Sequence, residues 1–345
     1  MKKALKVSLI TLLIILAVLL VLVIGIKIGE KLVFKEFYDH ANKEFKMPGT
    51  SDNLVQQGAT YIKEKDLFLV CGYMSDDTAS MVYVLDKDGN VQNKVRLKNS
   101  DGSDYLGHTG GIEYNGNYVY ITDGGKDVNY EGELDVFPLD QILNETEVKT
   151  VGSVKTYNNP AFCHSYKGYL LVGEFYREED YETLDSHRVT TPNGDNNTAL
   201  IMVFRITSDG ENFGLSQKPV AAISTTDAIQ GLETVDDEQI VLSSSWGISK
   251  SKLRFYDMDK INTTDVEILD IAGNNENSTD DDLRLEVYHL DSSSLVKEVE
   301  APPMAEEMVY RNGKLYIFNE SASNKYIFGK LMSGNYVYSY DVDEE

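Results

Sequence analysis

One phrase recurs five times along the chain and narrows its fold more than any other feature. A well-defined copy runs from His108 to Gly124, reading His-Thr-Gly-Gly-Ile-Glu-Tyr-Asn-Gly-Asn-Tyr-Val-Tyr-Ile-Thr-Asp-Gly. Two short β-rich segments flank Asn115-Gly116, and both residues tolerate positive φ, so the phrase predicts a tight hairpin. The other copies are Gln57-Gly58-Ala59-Thr60-Tyr61 with 67–70, Pro160-Ala161-Phe162 with 169–172, Gln230-Gly231-Leu232 with 239–242, and Ala305-Glu306-Glu307-Met308 with 314–318.

From Gly58 through Gly111, Ala161, Gly231 and Glu306 the steps are 53, 50, 70 and 75 residues. A four-stranded propeller blade takes about 40–50 residues, so the first two steps fit and the last two require insertions. Two polar stretches supply them: 177–197, and 262–282 with its acidic end Asp280-Asp281-Asp282. Third strands are expected at 80–85, 199–204, 252–256 and 336–340. Regular strands, polar turns and no helical periodicity predict an all-β fold, a β-propeller. Five blades can be counted, and the length of the fourth unit leaves room for a sixth, because 283–290 and 295–299 also read as strands. The last unit has three strands before the chain stops, so an N-terminal segment is needed to complete it.

The chain begins differently. Lys2, Lys3 and Lys6 precede an uncharged apolar run of twenty residues, Val7 to Ile26. At about 1.5 Å per residue, a helix of that length spans a hydrocarbon core of about 30 Å. The run has no small-residue cleavage pattern and no following lipoprotein cysteine, so it reads as an uncleaved signal anchor. The expected organisation is a cytoplasmic stub at 1–6, a transmembrane anchor at 7–26, a juxtamembrane stalk at 27–49 and an extracytoplasmic propeller at 50–345. Lysines flank the run on both sides, so the orientation rests on the large acidic body, which fits N-in and body-out better than the reverse.

That body is strongly acidic. The formal charge is −24, and residues 1–47 carry eight lysines against four carboxylates, which leaves −28 on the remainder. Such a surface repels phosphate backbones and argues against nucleic acid as a partner. Cys71 and Cys163 are too few for a disulfide scaffold, lack zinc-ligand spacing and read as buried small hydrophobes.

In a propeller, the start of each inner strand and the end of the next strand open on one face beside the central channel. This geometry assembles Gln57, His108, Asn159, Gln230, Glu306 and Glu307 with Tyr73, Asp123, Glu174, Trp246 and Glu320. Polar and aromatic groups converging on one funnel suit a small polar ligand. The same groups would equally serve to satisfy backbone where blades meet. His108 suits a general base, a ligand contact or a structural hydrogen-bond partner.

No cofactor is expected, and structural calcium is the one alternative the residues offer. The starts of the inner strands offer two amides, one histidine and two adjacent carboxylates, whereas calcium takes six to eight oxygens. Asp86-Lys87-Asp88-Gly89-Asn90 resembles the start of a calcium loop but lacks the third ligand position and the closing Glu, which makes it a hairpin turn. No G-x-S-x-G, P-loop or H-E-x-x-H phrase is present.

His108-Thr109-Gly110-Gly111, Ser243-Ser244-Ser245-Trp246-Gly247, and 301–307 leading to Asn319-Glu320-Ser321-Ala322 go beyond generic propeller text. With Gln57-Gly58 and Gln230-Gly231, the chain resembles a group of membrane-anchored or secreted bacterial propeller proteins without assigned activity, over roughly residues 50–341. The resemblance implies the fold and a surface location, and it supplies no catalytic residues. A second resemblance is to five-bladed arabinanases and levansucrases, which implies glycosidic hydrolysis by axial carboxylates, with Asp123, Glu174 and Glu307 in those parts. Their usual Asp-Pro opening phrase is missing here. A protein-interaction scaffold is the third reading.

Overall fold

The computed structural model describes residues 2–124, 132–208, 210–269, 283–326, 329–331 and 334–342. Five sheets stand around one axis, antiparallel except for one parallel outer pair in each of the first and third, and each begins with an inner strand from the recurrent phrase: Leu54–Ile62, Ile112–Asn115, Pro160–Tyr166, Ile229–Val235 and Ala305–Arg311. The expected third strands are present as Met81–Asp86, Ala199–Arg205, Ser251–Asp257 and Tyr336–Asp341. Five buried apolar clusters hold the blades together, one at each junction between neighbours.

The small residue of the phrase has a steric cause. A Cβ on Gly58 would lie 2.8 Å from Gly111 Cα, and one on Gly111 would lie 2.7 Å from Cys163 N and Phe162 Cα. Inner strands of adjacent blades therefore touch backbone to backbone, which keeps the channel narrow. Within the hairpin of the second blade the turn sits one residue later than expected. Asn115 pairs with Tyr118, so Gly116-Asn117 forms the turn, with Gly116 at φ +54°.

There is no sixth blade among the described residues. Leu283–His289 runs parallel to Ala221–Thr225 and pairs with Asn262–Leu269, which extends the third blade outward by two strands. Leu283, Leu285 and Val287 are buried while Arg284 and Glu286 are exposed, the alternation of a strand covered on one face only. Leu295–Ala301 is the outer strand of the fourth blade. The acidic triplet Asp280-Asp281-Asp282 lies outside the described residues.

The ring is closed from the N-terminal side. Ala41–Lys46 pairs antiparallel with Tyr336–Asp341, Ala41 opposite Tyr340 and Lys46 opposite Tyr336. Phe45 from this strand is buried against Phe68, Tyr316 and Phe318, with ring centroids 5.6–6.4 Å apart. The stretch 27–49, expected as a stalk, is therefore divided, and its last part belongs to the propeller. Hydrophobic alternation there is short and carried by Phe45 alone, which hid the strand among charged neighbours.

Ahead of it, Lys2–Val33 is one helix, of which Lys6–Val33 is long and apolar enough to cross a membrane, with a mean hydropathy of 3.5 over its most apolar 18 residues and none of that window buried in the body. The chain turns at Phe34 into a short helix, Lys35–His40. Phe34 and Phe37 then pack into the cluster of Phe255, Val299 and Tyr340 between the fourth and fifth blades.

Candidate functional site

Each inner strand is approached through a residue forced into the left-handed region: Asn53 (φ +66°), Thr109 (+55°), Tyr157 (+63°), Ala228 (+56°) and Met304 (+65°). For a residue with a Cβ this conformation costs roughly 1–2 kcal/mol, and it persists only where surrounding structure imposes it. Four of the five inner strands also carry a register shift near their start, between Gln56 and Ala59, Pro160 and Phe162, Ile229 and Gly231, and Ala305 and Met308. A bulge re-aims the side chains beside it. These devices bend the starts of the inner strands at the rim of the channel.

The result is a cavity of about 550 Å³ over the axis. Its size falls inside the range of about 300–1,000 Å³ typical of small-molecule sites. Gln57, Tyr73, His108, Asp123, Asn159, Gln230, Trp246 and Glu320 all line it. Phe175, Tyr181, Lys325 and Tyr326 join them.

One side of the cavity is aromatic. The rings of Phe175 and Trp246 lie 5.8 Å apart, and Tyr181 meets them edge-on at 5.3 and 5.8 Å. Arg177 covers Trp246 with its guanidinium 4.2 Å from the ring centre. Tyr73, His108, Asp123 and Lys325 form a mixed polar and aromatic part of the lining. His108 stands over Tyr73 with ring centroids 4.8 Å apart, and its backbone N–H donates to Asp123 Oδ1 at 2.7 Å. The Lys325 ammonium lies 4.8 Å from the Tyr73 ring centre and donates to its hydroxyl. The His108 ring is open to the cavity yet walled by protein, and this poor solvation lowers its pKa to about 4, so it is neutral at pH 7.

Glu320 forms the acidic floor. Its Oε2 accepts from Gln57 Nε2 at 2.9 Å and from the Tyr326 hydroxyl at 3.2 Å. Burial raises its pKa to about 7, against the opposing pull of Gln57, Lys325 and Tyr326. Glu306 lies beneath, 2% exposed, with its Oε1 unpartnered. Burial, and then the neighbouring Glu320 and Glu307, push its carboxyl well above the usual carboxylate range.

Three of the expected residues stand outside the cavity. Glu174 is buried, and its Oε1 accepts from Leu200 N at 2.9 Å while lying 2.9 Å from His187 Nδ1. The next residue, Phe175, takes its place in the lining, because a one-residue step along a strand turns the side chain to the opposite face. Glu306 is sealed below the floor, and Glu307 lines a separate cavity. The carboxylates Asp123, Glu174 and Glu307 are thus not assembled around one point, and the hydrolytic trio drawn from the arabinanase resemblance is corrected.

Tyr181, Lys325 and Tyr326 were not anticipated. They come from the long connections between second and third strands of the third and fifth blades, which open on this same face. Length and position of those loops were legible, but which side chain turns inward was not. In the loop Asp86–Asn90, Asp86 Oδ1 accepts from the N–H groups of Asp88 and Asn90, closing a hairpin turn. Among the described residues no group of three or more His, Cys, Asp or Glu converges to hold a metal ion.

No family model and no curated protein matches this sequence. Solved structures resemble it in shape. The glutaminyl cyclase of Myxococcus xanthus aligns over 87% of this chain and 94% of its own at 10% identity, with a TM-score of 0.42. The PQQ-bound aldose sugar dehydrogenase of Streptomyces coelicolor aligns over 87% of this chain and 96% of its own at 11% identity, with a TM-score of 0.44. Likenesses this distant leave the chemistry of the cavity to its own residues.

Proposed function

We propose that the cavity binds a small polar ligand of the saccharide class, such as a sugar or cell-wall fragment, and that binding rather than turnover is its role. The observation that carries this reading is a single cavity lined both by aromatic rings and by amides, carboxyls and a cation. Tyr181 and Trp246 supply apolar ring surface for C–H groups, backed by the buried Phe175, while Gln57, Asn159, Gln230, Asp123 and Glu320 supply partners for hydroxyls. Backbone strain concentrated at the rim of the same cavity adds support, because such strain gathers at binding sites.

Trp246 is the only tryptophan in the chain, so its fluorescence reports on the cavity directly. Titration of the detergent-solubilised full chain with mono- and disaccharides and soluble cell-wall glycans should give a saturable change in emission. A response to peptides alone would transfer the site to a peptide ligand. Silence across both panels would favour the scaffold reading.

One observation favours a catalytic alternative. Glu320, with a pKa raised to about 7, keeps a protonated fraction at neutral pH, while Asp123 opens on the same cavity. A partly protonated carboxyl beside a second carboxyl in one cavity is what general acid catalysis requires. Product analysis with Glu320→Gln separates the readings, since a hydrolase would lose turnover and keep binding.

The proposal also places the body outside the cytoplasm, anchored through residues 7–26. Its support is the length and hydropathy of Lys6–Val33, the lysines ahead of it and the acidity of the body. Protease added to intact cells should remove the body and leave a membrane-bound stub. A mature chain starting near residue 30 would show instead that the segment is a cleaved signal.

A further inference from the structure

The inner strands run from the ligand cavity to the opposite end of the channel, where a second cavity of about 180 Å³ opens. Its lining includes Glu113, Glu233, Glu307 and His164. Two of these carboxylates are fully used in tying blades together. Glu113 Oε1 accepts from Thr60 Oγ1 and Tyr114 N, both at 2.8 Å, and Oε2 accepts from Ser165 N at 3.0 Å. Glu233 Oε1 accepts from Thr234 N and Oε2 from Tyr310 N, each at 2.7 Å. His164 bridges the pair, with Nε2 3.3 Å from Glu233 Oε1 and Nδ1 3.9 Å from Glu113 Oε2.

Glu307 differs. It is 1% exposed, the N–H groups of Met308 and Leu232 face its carboxyl, with Met308 N donating to Oε1 at 3.0 Å, and no hydrogen bond reaches Oε2. A buried carboxylate oxygen without a partner is costly unless something balances it. The oxygens of Glu113 and Glu233 all have donors, so Glu307 Oε2 is the one carboxyl oxygen of the three lining glutamates left open to a ligand. The three-sided convergence of carboxylates that a divalent chelate needs is missing among the described residues. The cavity nevertheless has room for an ion with its water, a water occupying about 30 Å³.

We propose that this second cavity binds one monovalent inorganic cation, sodium or potassium, against Glu307 Oε2. The cation competes with a proton for that oxygen. Around Glu307 stand the carboxyls of Glu113, Glu233 and Glu306, the thiols of Cys71 and Cys163, and the cation-capable His164 and Lys63. Burial, and then repulsion from Glu233 and Glu113, raise the Glu307 pKa strongly, so the site should fill only toward alkaline pH.

The test is the thermal unfolding of the full chain in detergent near pH 8, in potassium, sodium or tetramethylammonium chloride at equal ionic strength. Potassium or sodium should raise Tm by roughly 2–5 °C over tetramethylammonium. The difference should vanish near pH 6 and in Glu307→Gln. Equal Tm in all three salts, or a difference retained in Glu307→Gln, would overturn the proposal and leave a proton on Glu307. Should that variant fail to fold, sodium-23 line broadening of the unaltered chain decides the matter. Broadening reversed by potassium but not by tetramethylammonium is expected, and its absence counts against the site.

Discussion

Gln57 Nε2 donates to Glu320 Oε2 at 2.9 Å and so joins residues 263 positions apart in the chain. Gln57 belongs to the first blade and Glu320 to the fifth, and the bond crosses the seam where the ring closes. The floor of the ligand cavity therefore exists only when the first and last blades are in contact. Closure and site formation are one event.

Removal of the closing strand should accordingly abolish both. Deleting residues 1–46 exposes the edge of Tyr336–Asp341 and takes Phe45 out of its cluster. Phe45→Ala alone should cost about 3–5 kcal/mol, the usual cost of truncating a buried phenylalanine. A chain ending at Ala322 lacks strand Tyr336–Asp341 and should lose cooperative unfolding. Denaturant melts followed by circular dichroism check all three, and a deletion that still unfolds in one sharp step would refute this account of closure.

Glu320→Gln should weaken ligand binding by about 1–3 kcal/mol if the site is a binder, the scale of a lost buried hydrogen bond to a charged group. The unaltered protein should bind more tightly as pH rises through about 7, where Glu320 loses its proton and becomes an acceptor for hydroxyls. The variant should lose that step in a Trp246 fluorescence titration. A pH profile that survives the substitution would assign the proton elsewhere.

Stability should be higher at mildly acidic than at alkaline pH. Burial raises Glu233 and Glu320 to about 7, so between their unfolded pKa, near 4.5, and about 7 the folded state holds protons that the unfolded chain releases. Stability is lost as pH rises through that window, on the order of 3 kcal/mol for Glu233. His108 acts in the opposite sense. Its folded pKa of about 4 lies below the unfolded 6.5, so stability is lost as pH falls from about 6.5 toward 4. Two raised acids outweigh one lowered histidine, so thermal melts from pH 5 to 9 should show Tm falling as pH rises toward 8, and a steady rise toward pH 8 would contradict the buried-acid assignment.

Gly111→Ala should destabilise the protein by about 1–3 kcal/mol, as overpacking does. The added methyl would meet the backbone of Cys163 and Phe162 at 2.7 Å, where neither chain can give. Gly116→Ala, in contrast, meets open space and is disfavoured only by its φ of +54°. A smaller loss at Gly111 than at Gly116 would argue against tight inner-strand contact.

The repeat spacing alone determined the propeller, its five inner strands and the face on which their starts converge, because strand alternation and turn chemistry are local properties of the chain. The apolar run at Val7–Ile26 was equally plain, since length and hydropathy need no partner to be read. Tertiary structure alone decided the rest. Leu283–His289 joined the third blade because a free edge at Ala221–Thr225 accepts a parallel strand, a pairing no local pattern encodes. Ala41–Lys46 became the closing strand because an open edge at Tyr336–Asp341 and a gap for Phe45 awaited it. Glu174 turned into the blade and Phe175 into the cavity through one step of register, and sequence patterns locate strand ends less finely than that. The states of Glu306, Glu307 and Glu320 depend on burial beside one another, and burial is settled only when distant inner strands meet around the channel.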